Sequence, residues 1–334
     1  MNKVIVIAEA GVNHNGDLEL AKELVRQAAV AGADYVKFQT YITEHLVTLN
    51  APKAEYQYKN DNIVQSQYEM LKKLELSFDD TLELKKFADT ARIGFLSTGF
   101  DLESIGFLKT LNIPFFKIPS GEITNYTYLK QIASFKMPII MSTGMATMKE
   151  IEEAFYLLIE NGMNRNDITI LHCSTEYPTS FENVNLLAMR TIQQKFKTKV
   201  GYSDHTVGIE IPIAAVSIGA QVIEKHFTLN KKMQGPDHAA SIEPDELKQM
   251  IKAIRNIEKA LGDGFKVPSA IEEKNKIAAR KSIVVKKTIK KGDVFSDNNL
   301  EIKRPGNGIS PMKWPEIIGK ISSRDHSAGD LLII

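Results

Sequence analysis

Short β-rich runs alternate eight times with helix-forming segments, and this alternation constrains the fold more than any other feature of the chain. The runs are residues 4–8, 35–40, 95–98, 115–118, 138–142, 168–172, 200–203 and 222–227. An amphipathic or apolar segment follows each of them. In the first such segment Asp17 can cap a helix, Leu20, Leu24, Val25 and Ala28 recur at helical spacing, and Gly32 can end it. The other seven begin near Phe78, Asp101, Asn125, Thr147, Asn183, Val207 and Asp245. Eight strand–helix units in about 260 residues predict an α/β fold of the (β/α)8 (TIM) barrel type. A doubly wound open sheet is the second reading, but it would reach this length with fewer units.

The alternation stops after the eighth helix. Residues 1–262 are expected to form the barrel domain, 263–277 a charged linker and 278–334 a small β-rich domain. The last has β-like runs at 282–285, 294–296 and 300–303 and a Pro305-Gly306-Asn307-Gly308 loop. About 57 residues bury little core alone, so this domain is expected to dock on something. Within the barrel, the connection from Tyr41 to Ser77 is long and rich in Tyr, Asn and Gln. Loops of that length in a compact domain are usually functional.

Charge narrows the partners. Against 42 Lys+Arg stand 41 Asp+Glu, a net charge of +1. Residues 278–334 hold 11 basic and 6 acidic side chains, so the rest of the chain carries −4. No aromatics interleave with the Lys286-Lys287 and Lys290-Lys291 pairs as a nucleic-acid surface requires. The run at Val4–Ala8 ends at Glu9, too short for a signal peptide, and 211–223 falls short of a membrane span. Cys173 is the single cysteine, which excludes an internal disulfide and a multi-cysteine zinc site. The chain is expected to be cytoplasmic, with neither nucleic acid nor membrane as partner.

Side chains alternate inward and outward along a barrel strand, and barrel active sites lie at the C-terminal strand ends. Parity therefore has chemical content. Ile5, Ile7 and Glu9 share a face, as do Tyr35, Lys37 and Gln39, and Phe115 and Lys117. Gly201, Ser203 and His205 form another set, and Val222, Glu224 and His226 the last. In each set the polar members come at the C-terminal end. Burying so many charges is costly unless they face one another and a ligand, so Glu9, Lys37, Lys117, His205, Glu224 and His226 form an expected active-site floor.

Each group has a functional and a plain structural reading. His205 and His226 end adjacent strands and either share a divalent cation such as Mn²⁺ or are hydrogen-bonded barrel histidines. His172 reads as a packing or supporting residue, and Cys173 after it has the opposite parity, which argues against a nucleophile. Lys37 and Lys117, with Ser120, Ser142 and Ser203, either hold a phosphate and a carboxylate or are ion-paired to Glu9, Glu122 and Glu224; a Schiff-base lysine is the third option. Glu9 either moves a proton or orients a hydroxyl, or is salt-bridged beneath the Gly11-Val12-Asn13-His14-Asn15-Gly16 loop. Asp237, in a Gly235-Pro236-Asp237-His238 turn, either contacts a polyol or stabilises the turn.

Seven ordered segments carry a resemblance that spans essentially the whole chain. Ile7-Ala8-Glu9-Ala10-Gly11-Val12-Asn13-His14-Asn15-Gly16, Val36-Lys37-Phe38-Gln39-Thr40 and Phe116-Lys117-Ile118-Pro119-Ser120-Gly121-Glu122 are three. Gly201-Tyr202-Ser203-Asp204-His205-Thr206, Ile223-Glu224-Lys225-His226-Phe227-Thr228, Gly235-Pro236-Asp237 and Lys303-Arg304-Pro305-Gly306-Asn307-Gly308 complete the set. Together they resemble the bacterial sialic acid synthases, and residues 278–334 resemble that family's antifreeze-protein-like (SAF) domain.

The resemblance implies condensation of phosphoenolpyruvate with an open-chain N-acylated aminosugar, releasing phosphate and a nine-carbon 2-keto acid. It implies that His205 and His226 hold Mn²⁺, with Mg²⁺ or Co²⁺ as substitutes, and that Glu9 acts at the reacting centre. Phosphoenolpyruvate would lie on Lys37, Thr98, Lys117, Ser120, Ser142 and Ser203. The sugar would meet Gln39, Asn62, Tyr177, Asp237 and, across a domain-swapped homodimer, Arg304 of the other subunit. Gly99 replaces a usual Pro, Thr175 stands where some members carry Asn, and Ala279-Arg280-Lys281-Ser282 replaces an aromatic-containing run. The sequence reading is an N-acetylneuraminate synthase acting on N-acetylmannosamine. Its alternative is a legionaminate synthase acting on a 2,4-diacetamido-2,4,6-trideoxyhexose. From other classes, a Schiff-base aldolase and a non-catalytic carbohydrate-binding protein are the competitors.

Overall fold

The computed structural model describes residues 3–55, 57–58 and 65–334. Eight parallel strands follow one another in chain order: β1 (Ile5–Gly11), β2 (Tyr35–Thr40), β3 (Gly94–Gly99), β4 (Phe116–Ile118), β5 (Ile139–Ser142), β6 (Ile168–Cys173), β7 (Lys199–Asp204) and β8 (Val222–His226). Hydrogen-bonded neighbours run β3-β2-β1-β8-β7-β6-β5-β4. The first strand thus pairs with the last, and β3 lies against β4, which closes the sheet on itself. An open doubly wound sheet cannot do this; the barrel reading holds.

Helices cover the outside: α1 (Leu18–Ala31), α2 (Thr43–Leu46), α3 (Gln67–Leu74), α4 (Phe78–Thr90), α5 (Leu102–Thr110), α6 (Tyr126–Ser134), α7 (Met148–Glu160), α8 (Ala188–Phe196), α9 (Glu210–Ser217) and α10 (Pro244–Ala260). Their limits follow local chemistry. Asp17 accepts from the Glu19 and Leu20 amides to start α1, and Gly32 ends it in the left-handed region at φ 88°. Capping boxes at Ser66/Glu69, Ser77/Asp80 and Thr147/Glu150 start α3, α4 and α7. The main core lies between strands and helices, with Val6, Phe38, Phe116, Tyr202 and Ile223 among its strand contributions. Inside the barrel, Ile7, Leu96, Phe115, Ile140, Leu171 and Val222 form a separate apolar plug. Glu9, Lys37, Lys117, Ser203 and Glu224 point inward nearer the C-terminal strand ends than that plug.

The chain divides between Gly262 and Asp263. In the second unit, β9 (Ser282–Val285) pairs antiparallel with β10 (Leu300–Lys303) around a small core of Ile283, Val285, Ile289, Phe295, Leu300, Ile317 and Leu332. Residues 294–296 form no strand; Val294 makes a single bridge to Ile321. The stretch expected to be a linker carries α11 (Ala270–Ala279), started by a Ser269/Glu272 capping box. Charged sequence rich in Glu and Lys is good helix material, which is why a compositional reading misses it. Among the described residues no helix is long and apolar enough to cross a membrane.

Candidate active site

Register sets the floor of the site. Glu9 stands level with Lys37 on one side and His226 on the other, and Ser203 with Glu224. The Lys37 ammonium lies 2.7 Å from Glu9 and 3.5 Å from Glu224, and donates to Thr98 Oγ1 at 3.0 Å. Lys117 lies 3.4 Å from Glu224, which also accepts from Ser203 Oγ at 2.9 Å. All four charged groups are buried. The ion pairs of the plain reading therefore exist for Glu9 and Glu224. Glu122 takes no part; its carboxylate accepts from Asn125 at 2.6 Å.

The pairs do not exhaust the donors. Lys37 is engaged by three oxygens, whereas Lys117 makes its ion pair at 3.4 Å to Glu224. Ser142 Oγ is buried without a hydrogen-bond partner. A buried hydroxyl with no partner and a thinly engaged ammonium are costly unless a ligand satisfies them. Both line a cavity of about 460 Å³ at the C-terminal end of the barrel.

Burial pushes the Glu9 carboxyl up to about 7, against the pull of Lys37 and with help from Glu224. Burial also acts upward on Glu224, but Lys117 and Lys37 together outweigh it and hold that carboxyl at about 2. Two carboxyls on one floor are thus pushed apart, one poised to exchange a proton near neutrality and one kept as an anion. Burial lowers the Lys117 ammonium despite Glu224, while Lys37, burial notwithstanding, is raised by Glu224 and Glu9.

The two histidines converge, ring centroids 5.2 Å apart. His205 Nδ1 bonds the Ser174 carbonyl, which makes that nitrogen the protonated one and leaves Nε2 with its lone pair. His226 Nδ1 is buried without a hydrogen bond, 3.8 Å from the Asp237 carboxylate. Burial lowers His205 to about 4, and burial with neighbouring His205 drives His226 well below its ordinary range. Both imidazoles are therefore neutral, the form that ligates metal. This donor set fits a divalent cation held by His205 and His226. Among the described residues no three His, Cys, Asp or Glu side chains form a closed cage, so the other positions would be left to substrate or water. Tyr177 packs on His205 at 4.0 Å and meets His226 edge-on at 5.6 Å.

Gly11 explains how Glu9, Gln39 and His226 come so close. Its φ is +53°, and a Cβ there would meet Glu9 Oε1 at 3.2 Å, Gln39 Nε2 at 3.3 Å and His226 Cε1 at 3.7 Å. Asp237 shapes the turn, its carbonyl accepting from Ser241, and its carboxyl, raised by burial to about 6, lines the cavity.

The cavity lining includes Glu9, Lys37, Gln39, Thr98, Lys117, Ser120, Ser142, Tyr177, Ser203, His205, His226 and Asp237, nearly the whole expected set. Asn62 lies outside the described residues. Arg304 belongs to the second unit, where its Nε donates to the Ala279 carbonyl at 3.1 Å. The parity assigned to Cys173 needs correcting. It pairs with Ser203 in register and lines the cavity, with Sγ 3.3 Å from Ser120 Oγ, while His172 faces outward to the Val184 carbonyl. Leu171 and Cys173 stand level with Gly201 and Ser203 of β7, so the inward face of β6 carries its odd-numbered residues and His172 falls on the outer face with Tyr202.

Two further features escape sequence reasoning. Val12, Met70, Leu71, Leu74 and Phe100 form an apolar wall of the cavity; apolar residues at helical spacing after a capping box at Ser66 were the available signal. Behind the barrel wall, Lys225 Nζ donates to Asp204 Oδ2 and to the Thr206 carbonyl, each at 2.5 Å, with neither side chain exposed. Thr206 returns two bonds to Asp204. This pair ties together the strand ends that carry His205 and His226.

Comparison with known proteins matches the NeuB family over residues 24–266 and the SAF domain over 280–332. N,N'-diacetyllegionaminic acid synthase of Campylobacter jejuni is 54% identical over 99% of both chains. The Legionella pneumophila protein of the same name is 48% identical over 98% of this chain and 93% of its own. Among solved structures, the N-acetylneuraminic acid synthetase of Leptospira borgpetersenii is 34% identical, with a TM-score of 0.71 over 82% of this chain and 90% of its own.

Proposed function

This chain belongs to the NeuB family of sialic acid synthases, and from that premise we propose that it is an N,N'-diacetyllegionaminic acid synthase. The reaction joins phosphoenolpyruvate to an open-chain 2,4-diacetamido-2,4,6-trideoxyhexose. N-acetylmannosamine, the sugar of the first sequence reading, gives way to the alternative. The relatives at 54% and 48% identity carry the legionaminic name, whereas the N-acetylneuraminic structure stands at 34%.

One observation of the site carries the reaction class: Lys117 and Ser142 are buried donors left under-engaged beside a carboxylate-lined cavity. They suit a phosphate or carboxylate. In the reaction C3 of phosphoenolpyruvate bonds to the aldehyde carbon, whose oxygen takes up a proton. Water adds at C2 with loss of a proton, and the tetrahedral intermediate expels phosphate by C2–O cleavage. Glu9, titrating near neutrality, holds the proton delivered to the aldehyde oxygen. Glu224 stays ionised and keeps the two lysines in place. A divalent cation would be held by His205 and His226 and would supply Lewis acidity toward the aldehyde. Gln39, Tyr177 and Asp237, which line the same cavity, orient the sugar.

The test is phosphate release from phosphoenolpyruvate with each sugar in turn, with the product identified by mass. A diacetamido nonulosonic acid supports the proposal; turnover of N-acetylmannosamine alone overturns the sugar assignment, and release with neither sugar overturns the reaction.

A further inference from the structure

One small apolar cluster stands apart from both the barrel core and the plug inside it. It comprises Val12, Tyr41, Met70 and Leu74, with Leu46, Leu71 and Phe100 packed on them. Val12 follows the bulge at the end of β1, Phe100 follows β3, and Met70, Leu71 and Leu74 come from α3. The wall they form therefore rises on the β1–β3 side of the barrel mouth, beside Glu9, Gln39 and His226. Ser142 and Cys173 end β5 and β6, on the other side.

Such a wall suits some sugars and not others. A hydroxyl pressed against it gives up water and finds no partner, whereas a methyl group gains by leaving water. Compared with N-acetylmannosamine, a 2,4-diacetamido-2,4,6-trideoxyhexose has a methyl at C6 in place of a hydroxymethyl. At C4 it has an acetamido group in place of a hydroxyl. We infer that the Val12–Met70–Leu71–Leu74–Phe100 wall is the surface that selects the sugar, seating the C6 methyl and the C4 acetyl methyl. Gln57 and Gln67 line the same cavity and offer amides to the acetamido group; Gln57 Oε1 accepts from the Ala54 amide at 2.9 Å, which orients its side chain. The inference rests on the proposed synthase activity. It adds that sugar choice resides in α3 and its neighbours, not in the charged floor that all such substrates share.

The experiment measures kcat/KM for both sugars, and KM for phosphoenolpyruvate, in the wild type and in Met70→Gln and Leu71→Gln. A methylene in an apolar pocket is worth roughly 10–200-fold in discrimination. The wild type should therefore prefer the diacetamido sugar by at least about 10-fold, and each variant should lose about that factor through the KM of that sugar. The KM of phosphoenolpyruvate should not move. Leu71 is half-buried, so its variant carries the test if Met70→Gln does not fold. An unchanged preference in Leu71→Gln with normal phosphoenolpyruvate KM overturns the wall assignment and leaves the synthase reading standing. A wild type that releases phosphate with neither sugar overturns the reading itself.

Discussion

Replacing Lys225 by Met should destabilise the barrel by an amount that grows with pH. Lys225 and Asp204 are wholly buried and bonded to each other, and Met fills similar space without charge. Burial already raises the Asp204 carboxyl above its ordinary 3.8 in spite of Lys225. Without the ammonium, Asp204 folds as the neutral acid. Protonating at pH 7 a group that ionises at 3.8 in the unfolded chain costs about 4 kcal/mol, at ~1.4 kcal/mol per pH unit. At pH 5 the same step costs about 1.6 kcal/mol. Losing the bond to the Thr206 carbonyl adds about 1 kcal/mol at either pH. The sign follows from proton counting: between these pH values the native variant holds a proton that the unfolded chain has released, so its stability falls as pH rises. Urea unfolding at pH 5, 6 and 7 should show the gap from wild type widening by about 2–3 kcal/mol. In the Asp204→Asn, Lys225→Met double variant the gap should be small and flat, because a neutral buried pair carries no titration. A gap for Lys225→Met that is the same at pH 5 and pH 7 refutes the reasoning.

Glu9→Gln should lower kcat by about 10²–10⁴-fold. It should also remove an alkaline limb near pH 7, because the protonated carboxyl is the donor and is lost as pH rises through about 7; a limb that survives in the variant excludes Glu9 as the proton holder. Chelation should abolish turnover, Mn²⁺ should restore it, and His226→Ala should bind Mn²⁺ more weakly in a direct titration; undiminished affinity there would reject the ligand assignment. Lys117→Met should raise the KM of phosphoenolpyruvate by about 10-fold or more, the loss of a charge-assisted bond. The wild type should meanwhile resist borohydride inactivation; covalent trapping of substrate on Lys117 would favour a Schiff-base mechanism. Gly201→Ala should destabilise the barrel by about 1–3 kcal/mol, since a Cβ there would lie 2.3 Å from the Val222 carbonyl oxygen; normal stability would show that the β7–β8 seam can yield.

The barrel and most of its floor are legible in the sequence. Strand side chains alternate with a period of two, and a charged residue in an apolar strand is rare enough that its parity carries information. Glu9, Lys37, Lys117, Glu224 and His226 declared themselves in this way. Cys173 did not, because strand ends are not marked as sharply as strand centres. The helix at Ala270–Ala279 was hidden for a different reason: its centre is the polar run Glu272-Glu273-Lys274-Asn275-Lys276 and none of its side chains is buried, so composition reads it as a solvated link.

Sequence alone determined most of the side chains that enter the barrel, Cys173 excepted, because that depends on local periodicity and on a repeat of eight units. Only tertiary structure decided what those side chains do to one another. That one buried carboxyl titrates near 7 and another is held near 2 follows from distances to two lysines on different strands. The Asp204–Lys225 pair needs the register of β7 on β8, and the apolar wall needs α3 folded back over the mouth of β1. Electrostatics and packing act through space, and chain order does not contain the separations on which they depend.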